Sequence, residues 1–429
     1  MFTERGESMS SETRIPSFNP DVVSHASGTH KLRRARLTFE STACRWLLRT
    51  LLHAIGSPAI RIRLWNGESV CTSEAPPIGA LQVGDRRTLL GLLHHPDLEF
   101  GEAYTDGRIH IDGDLVGFLE TVYGAPVRPW AARILQRAPR PRANTRDGSR
   151  DNIHHHYDLG NDFYRLWLDE RMVYTCAYFP TPTASLEEAQ LAKMELVCRK
   201  AGLRPGERVV EAGCGWGALA LHMAQHHGVS VRAFNISHEQ IAYARERAER
   251  EGLSSRVEFI EDDYRNVSGR YDAFVSVGML EHVGVDHYRE LGRVIDRCLS
   301  EHGRGFIHTI GRNRPLRFNA WTERHIFPGA YPPTLREIMG ILEPYSFSVI
   351  DVENLRLHYA ATLRHWLTRF ERAAGTVAAM FDDRFVRTWR LYLAGSVAAF
   401  TTGSLQLFQV SFARPQDNAI PWTRTHLYR

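Results

Sequence analysis

Hydrophobic and polar positions change rhythm twice along the chain. Residues 1–35 follow neither a helical nor a strand period and are rich in Ser, Thr, Arg and Pro, so a mobile tail is expected. Short alternating runs come next. Ile60, Ile62 and Leu64 alternate with Arg61 and Arg63 like a half-buried strand, and Asn66-Gly67 is a hairpin signal. Residues 108–113 repeat the alternation through Ile109 and Ile111 and end in a turn. A small α+β domain over residues 36–125 is therefore expected, with an Arg/Pro-rich linker at 126–152.

From residue 153 the rhythm becomes one of alternating strands and helices. Strands are expected at 208–211, 229–234, 257–260, 273–277 and 305–309, and helices at 218–225, 240–251 and 287–299. Strands that alternate with helices build a mainly parallel sheet covered on both faces, so the fold class is α/β. Residues 405–410 alternate strictly, which suits an antiparallel edge strand. The stretch between Thr309 and Leu405 is mostly helical and aromatic and reads as an inserted lid.

Composition changes this picture little. The 429 residues are 43% hydrophobic and 24% charged, with a net charge of +4, which suits a globular protein and not an obligate nucleic-acid binder. The basic excess is uneven. Arg128, Arg133, Arg137, Arg140, Arg142, Arg146 and Arg150 share one stretch with a single acid, Asp147. That stretch is either a solvated linker or a patch that meets anionic phosphates or a membrane surface, where each Lys or Arg contributes about 1 kcal/mol. None of the six cysteines forms a C-x-x-C pair, so no metal is expected. No secretory segment and no apolar run of about 20 residues is found. The expectation is a cytoplasmic protein that sits on a membrane surface without crossing it.

The candidate chemistry begins at Gly213-Cys214-Gly215-Trp216-Gly217, between a strand and a helix. Such a loop lets a ligand approach the backbone, because a Cβ would block the turn or the approach. By itself it also suits a nicotinamide or flavin. Against a dinucleotide, position 218 is Ala, and Asn235 and Ser237 stand where an acid would grip the ribose.

The neighbouring motifs are more specific. His155-His156-Tyr157-Asp158-Leu159-Gly160-Asn161-Asp162-Phe163-Tyr164, Tyr174-Thr175-Cys176-Ala177-Tyr178-Phe179, Gly278-Met279-Leu280-Glu281-His282-Val283-Gly284, His308-Thr309-Ile310-Gly311 and Phe327-Pro328-Gly329 occur in this order. Together they resemble the cyclopropane-fatty-acyl-phospholipid synthases over residues 153–413, and more loosely at residues 100–107. The resemblance implies a class I methyltransferase fold: a Rossmann-like, mainly parallel seven-stranded sheet with an antiparallel edge strand and a helical lid, occupying residues 153–429. It implies transfer of the S-adenosylmethionine methyl group to a cis double bond of a phospholipid acyl chain, followed by proton loss and ring closure.

The implied bicarbonate cage consists of Cys176, Glu281, His308, Ile310 and Tyr359, with Cys176 and Ile310 serving through backbone groups. The implied cofactor residues are Tyr174, Thr175, Gly213, Gly215, Asn235, Gln240, Tyr264 and Arg265. Glu211-Ala212 stands where the family usually has Asp followed by Ile or Val, and Asn235 where Thr is usual. A carboxylate beside bicarbonate is repulsive unless a shared proton or a charged His308 intervenes. Phe179, Phe318, Trp321, Phe327, Tyr331, Trp366 and Phe370 are candidates for an acyl slot, although aromatic residues at helical spacing also build ordinary cores. The expected partner is a phospholipid in a bilayer, met reversibly, and the small domain aids docking or formation of a homodimer. A related lipid methyltransferase that leaves a methyl or methylene branch, a lipid-binding protein on a decayed fold and a nicotinamide oxidoreductase are the alternatives.

Overall fold

In the computed structural model, which describes residue 42, residues 44–128 and residues 159–428, the early alternation becomes a small four-stranded sheet. Its strands are β1 (Arg61–Leu64), β2 (Ser69–Val70), β3 (Ala80–Val83) and β4 (Ile109–Asp112), in the order β2-β1-β3-β4. The turn at Asn66-Gly67 forms as expected: Gly67 takes a φ of 85° and the Asn66 side chain accepts from Glu68 N–H. β3 was not anticipated. It pairs parallel to β1, a non-local contact that local alternation does not encode. Helices α1 (Arg86–His94), α2 (Pro96–Thr105) and α3 (Leu115–Gly124) complete this layer, and Asp85 and Asp114 cap α1 and α3.

The compact unit that begins at Arg49 holds everything described below. The expected tail at 1–35, the linker beyond residue 128 and the motif residues 155–158 lie outside the described residues.

The main sheet contains β5 (Arg208–Ala212), β6 (Ser230–Asn235), β7 (Val257–Glu261), β8 (Tyr271–Val277), β9 (Leu299–Gly311), β10 (Ser348–Asn354) and β11 (Gln406–Ala413). Their order is β10-β11-β9-β8-β5-β6-β7. β5 to β9 run parallel, while β11 is antiparallel to both β9 and β10. Strand order reverses between β5 and β8, which opens a crevice at their carboxyl ends.

Helices on both faces fill the core. They are α4 (Asn161–Arg165), α5 (Leu186–Lys200), α6 (Ala218–His227), α7 (His238–Arg250), α8 (Tyr288–Cys298), α9 (Ala320–His325), α10 (Leu335–Leu342), α11 (Arg356–Met380) and α12 (Asp383–Thr401). Successive strand residues face opposite layers. Val209 packs with Met194, Met223 and Ile241 from α5, α6 and α7, whereas Val210 packs with Leu291, Ile295 and Ile341 from α8 and α10.

Two expectations about the late chain need correction. The strand foreseen at 405–410 exists, but it lies one place inside the sheet and all eight of its residues are buried. The edge belongs to β10, within the stretch read as lid. Asp351, Glu353 and Asn354 disguise it, and a bulge between Val349 and Asp351 breaks its alternation. α10 is likewise part of the sheet's helical layer, because Ile338, Ile341 and Leu342 pack on α8 and the strands.

The inserted segment proper is the helical hairpin of α11 and α12, between β10 and β11. α12 packs on α2 and α3 of the small sheet's layer. Trp321 of α9 lies so close over Gly101 that a Cβ there would stand 2.2 Å from the indole. Among the described residues, no helix is long and apolar enough to cross a membrane.

Candidate active site

The glycine loop joins β5 to α6 at the strand-order switch. Gly213 and Cys214 N–H both donate to Phe234 O at the end of β6, which pins the loop. Gly217 caps α6 in the left-handed region at φ 82°, and a Cβ would meet Phe259 Cζ at 2.5 Å. Gly215 has φ 54°, but a Cβ there would meet nothing within 4 Å. Gly217 is thus a packing glycine. Gly215 presents bare backbone to open space.

Beside the loop lies a cleft lined by Gly213, Asn235, Asp262, Tyr264, Arg265, Met279 and His282 among others. Asn235 Nδ2 donates to Gln240 Oε1 at 2.7 Å and approaches Gly215 O at 3.4 Å, which brings Gln240 into the same network. Arg265 makes a bidentate pair with Asp263, at 2.8 and 2.6 Å. Asp262 Oδ1 accepts from Asp263 N–H and Asn266 Nδ2. The structure therefore gathers Gly213, Gly215, Asn235, Gln240, Tyr264 and Arg265, and adds Asp262, Asp263 and His282, which sequence reasoning missed. The Asp262-Asp263 pair directly after a strand end was the available signal.

Tyr174 and Thr175 belong to the segment that packs on Gly278. The Thr175 methyl packs on Gly278 so closely that a Cβ there would lie 2.8 Å away. Its hydroxyl accepts from Lys193 Nζ at 3.0 Å. Gln190 Nε2 donates to the carbonyls of Thr175 and Val173, so the capped start of α5 fixes this segment. Lys193 and Glu211 are both about 98% buried. Burial pushes Lys193 down and Glu211 up, and the Asp169 carboxylate, ahead of Glu211, offsets part of the effect on Lys193.

The second centre lies past the ends of β8 and β9. Gly278 N–H donates to His308 O, which docks the turn after β8 on β9. Glu281 Oε1 then accepts from Ile310 N–H at 2.5 Å. The other oxygen, Glu281 Oε2, is buried without a hydrogen-bond partner. His308 Nδ1 lies 3.1 Å from Gln409 Nε2 on β11, and His308 Nε2 is buried and unpartnered. Burial pushes Glu281 up to about 7 and His308 well below its usual range. Burial thus shifts both groups toward their neutral forms, His308 fully and Glu281 below about pH 7. With the Gln409 amide donating to Nδ1, the imidazole proton sits on Nε2. A protonated Glu281 and this N–H are two donors left over in a dry place.

Cys176 and Tyr359 join through α11. Ala177 N–H donates to Thr362 Oγ1 at 3.0 Å, and Tyr359 stands one turn earlier on that helix. Leu355 N–H, just before α11, donates to Leu407 O opposite Ile310. Cys176 is fully buried and donates to Ala177 O, and burial pushes its thiol far up, so it stays protonated. Ile310 N–H is engaged by Glu281 and its carbonyl by Thr309 Oγ1, so Ile310 acts here by orienting Glu281. Gln409 went unnoticed in the sequence because only the β9–β11 register places it opposite His308.

Aromatic rings border both centres. Tyr174 OH hydrogen-bonds Tyr392 OH at 2.7 Å, and the Tyr174 ring lies 5.2–5.3 Å from Trp167 and Trp366. Phe327 bridges His282 and Tyr392. Of the other aromatic candidates, Trp321 packs on Gly101, Phe370 is core, and Phe179 stacks on His365.

The arrangement has counterparts in known proteins. The family model described as "Mycolic acid cyclopropane synthetase" matches residues 144–410, and one described as a domain of unknown function matches residues 47–126. A "Probable fatty acid methyltransferase" of Pseudomonas putida is 34% identical over 387 residues, covering 86% of this chain and 96% of that protein. The "Cyclopropane-fatty-acyl-phospholipid synthase" of Escherichia coli K12 is 41% identical over 266 residues, covering 62% and 68%. A cyclopropane synthase from Mycobacterium tuberculosis superposes with a TM-score of 0.59 at 28% identity, covering 62% of this chain and 98% of that one. A mycolic acid cyclopropane synthase solved with SAH and CTAB gives the same TM-score, identity and coverage.

Proposed function

The chain belongs to the mycolic acid cyclopropane synthetase family and is an S-adenosylmethionine-dependent methyltransferase of the cyclopropane-fatty-acyl-phospholipid synthase type, and from that premise we propose that it methylenates a cis double bond in a phospholipid acyl chain. The observation that carries this reading is the pair of buried, unpartnered atoms Glu281 Oε2 and His308 Nε2. They suit a small anion that accepts two hydrogen bonds.

S-adenosylmethionine, when bound in the cleft, supplies an activated methyl group to the alkene. Gly215 leaves room for close approach, and Asn235, Gln240 and the Asp263–Arg265 pair offer the polar contacts. Bicarbonate fits the second centre and supplies a weak base there. The shared-proton arrangement is favoured over a charged imidazole, because burial neutralises both Glu281 and His308. Glu281 donates a hydrogen bond to the anion and holds its orientation through Ile310. His308 donates from Nε2, with its tautomer set by Gln409. Tyr359 serves as a further donor, and Cys176 serves through its backbone. The partly buried Tyr174 offers a ring face that favours a cationic acyl chain by about 0.5–2 kcal/mol, and the buried Trp167 and Trp366 pack behind it and exclude the water that would trap the cation.

Docking on a bilayer through anionic headgroups is the role proposed for the seven arginines between 128 and 150. The test of the whole reading is lipid analysis of cells that express the protein or Glu281→Gln. Acyl chains heavier by one CH2 and carrying a ring are expected with the parent only. Unmodified lipid from a preparation that binds S-adenosylhomocysteine would refute it. A second reading is a methyl or methylene branch in place of the ring, in line with a relative named as a fatty acid methyltransferase. NMR of the modified chain separates ring from branch.

A further inference from the structure

α5 and α6 pack together on the sheet face beneath the cofactor loop, and four ligating side chains meet where α6 ends. Cys198 Sγ and one ring nitrogen from each of His222 and His227 all lie within 4.8 Å of one another. Glu195, three residues before Cys198, places Oε2 3.1 Å from His227 Nε2 and 3.5 Å from His222 Nε2. We propose that Glu195, Cys198, His222 and His227 form a structural site for one Zn2+-class cation that clips α5 to α6.

Geometry, donor chemistry and charge agree. Ligands about 2.0–2.2 Å from a tetrahedral ion stand roughly 3.3–3.5 Å apart, close to the two Glu195–His separations. A thiolate, two imidazoles and a carboxylate suit a borderline-soft divalent ion. One thiolate and one carboxylate balance its two positive charges, so the filled site carries no net charge into the interior.

Hydrogen bonding alone leaves the cluster incomplete. His222 Nε2 is buried with no hydrogen-bond partner, and Glu195 Oε1 is already held by Arg199 Nε at 2.8 Å. Cys198 is fully buried, beside the two rings. Binding releases the Cys198 thiol proton to solvent and forms the metal–sulfur bond, so affinity rises with pH. The sequence hides the site because its ligands fall as E-x-x-C on one helix and H-x-x-x-x-H at the end of another, not as C-x-x-C.

The clip has a structural role. α6 starts at Gly217 of the cofactor loop, and α5 carries Gln190 and Lys193, which hold Thr175. An ion at the far ends of both helices fixes the frame on which loop and Thr175 stand.

The test uses the full chain, stripped with a chelator and titrated with Co2+ and then Zn2+ alone. One equivalent of Co2+ with a sulfur-to-metal charge-transfer band is expected, displaced by Zn2+, together with a higher Tm for the zinc form. Cys198→Ser should abolish the band, and His222→Asn with His227→Asn should lower bound metal more than tenfold. Circular dichroism checks that each variant folds. If variants do not fold, the parent spectrum decides, since the absence of the sulfur band overturns the proposal. Binding that all the folded variants retain overturns it as well.

Discussion

Replacing Glu281 by Gln should make the protein more stable and less active, with both effects tied to pH. Gln keeps the oxygen that accepts from Ile310 N–H and cannot ionise. In the parent, Glu281 is about 95% buried, and burial raises it from 4.5 to about 7. The folded state therefore binds a proton that the unfolded state has already released between those values, and stability falls as pH rises across this window. The contribution of the neutral carboxyl is fully present below 4.5 and lost as pH passes about 7. The cost at pH 8 is on the order of 3 kcal/mol, at 1.36 kcal/mol for each tenfold change in proton affinity. Urea unfolding of parent and Glu281→Gln at pH 5 and pH 8 reads this directly. The Gln variant should gain on the parent by up to about 3 kcal/mol between the two pH values, while methylene transfer falls about 10²–10³-fold, as when an oriented polar group is removed from an active site. A stability difference that does not change with pH would refute the argument that Glu281 is held neutral by burial.

The two glycines of the loop should separate packing from binding. Gly215→Ala costs roughly 1–2 kcal/mol for its left-handed backbone and should weaken S-adenosylhomocysteine binding more than tenfold by calorimetry. Gly217→Ala adds the collision with Phe259 and should lower stability by a further 1–3 kcal/mol, read as a lower urea midpoint. Gly101→Val should lift α2 off Trp321 and expose the 96–125 region to limited proteolysis, while the main sheet stays protected. Liposome binding should weaken with salt and strengthen with anionic lipid, and replacing four of the arginines between 128 and 150 by Gln should remove most of the salt dependence. Binding insensitive to both would exclude electrostatic docking.

What could be read from the chain was what neighbours along the chain determine. Val209 and Val210 declare a strand buried on both faces, and the glycines between Gly213 and Gly217 declare a close backbone approach. Glu281 and His308 were placed at one centre by motif, and the β8–β9 pairing sets Val277, just before the turn that carries Glu281, opposite His308. The missed features arise from pairings between distant segments. β10 is polar along much of its length and becomes a strand only because β11 offers it an edge. Gln409 is one more polar residue in an alternating run until the register sets it against His308. The ionisation of Glu281 was undecidable from sequence because it depends on the surrounding apolar volume, which only the folded core defines.

The place of β11 in the sheet has a consequence for how the protein is made. β9 is complete at Gly311, but the strand that covers its open side ends at Ala413, after two long helices have been added. At translation rates of about 5–20 residues per second, the edge of β9 waits roughly 5–20 s for its partner. During that interval β9 offers an uncovered row of peptide groups in the middle of the future core, the kind of template on which nascent chains pair with each other. The position of β11 thus means that the sheet closes only once residue 413 has been made, and until then β9 is open to pairing with other nascent chains.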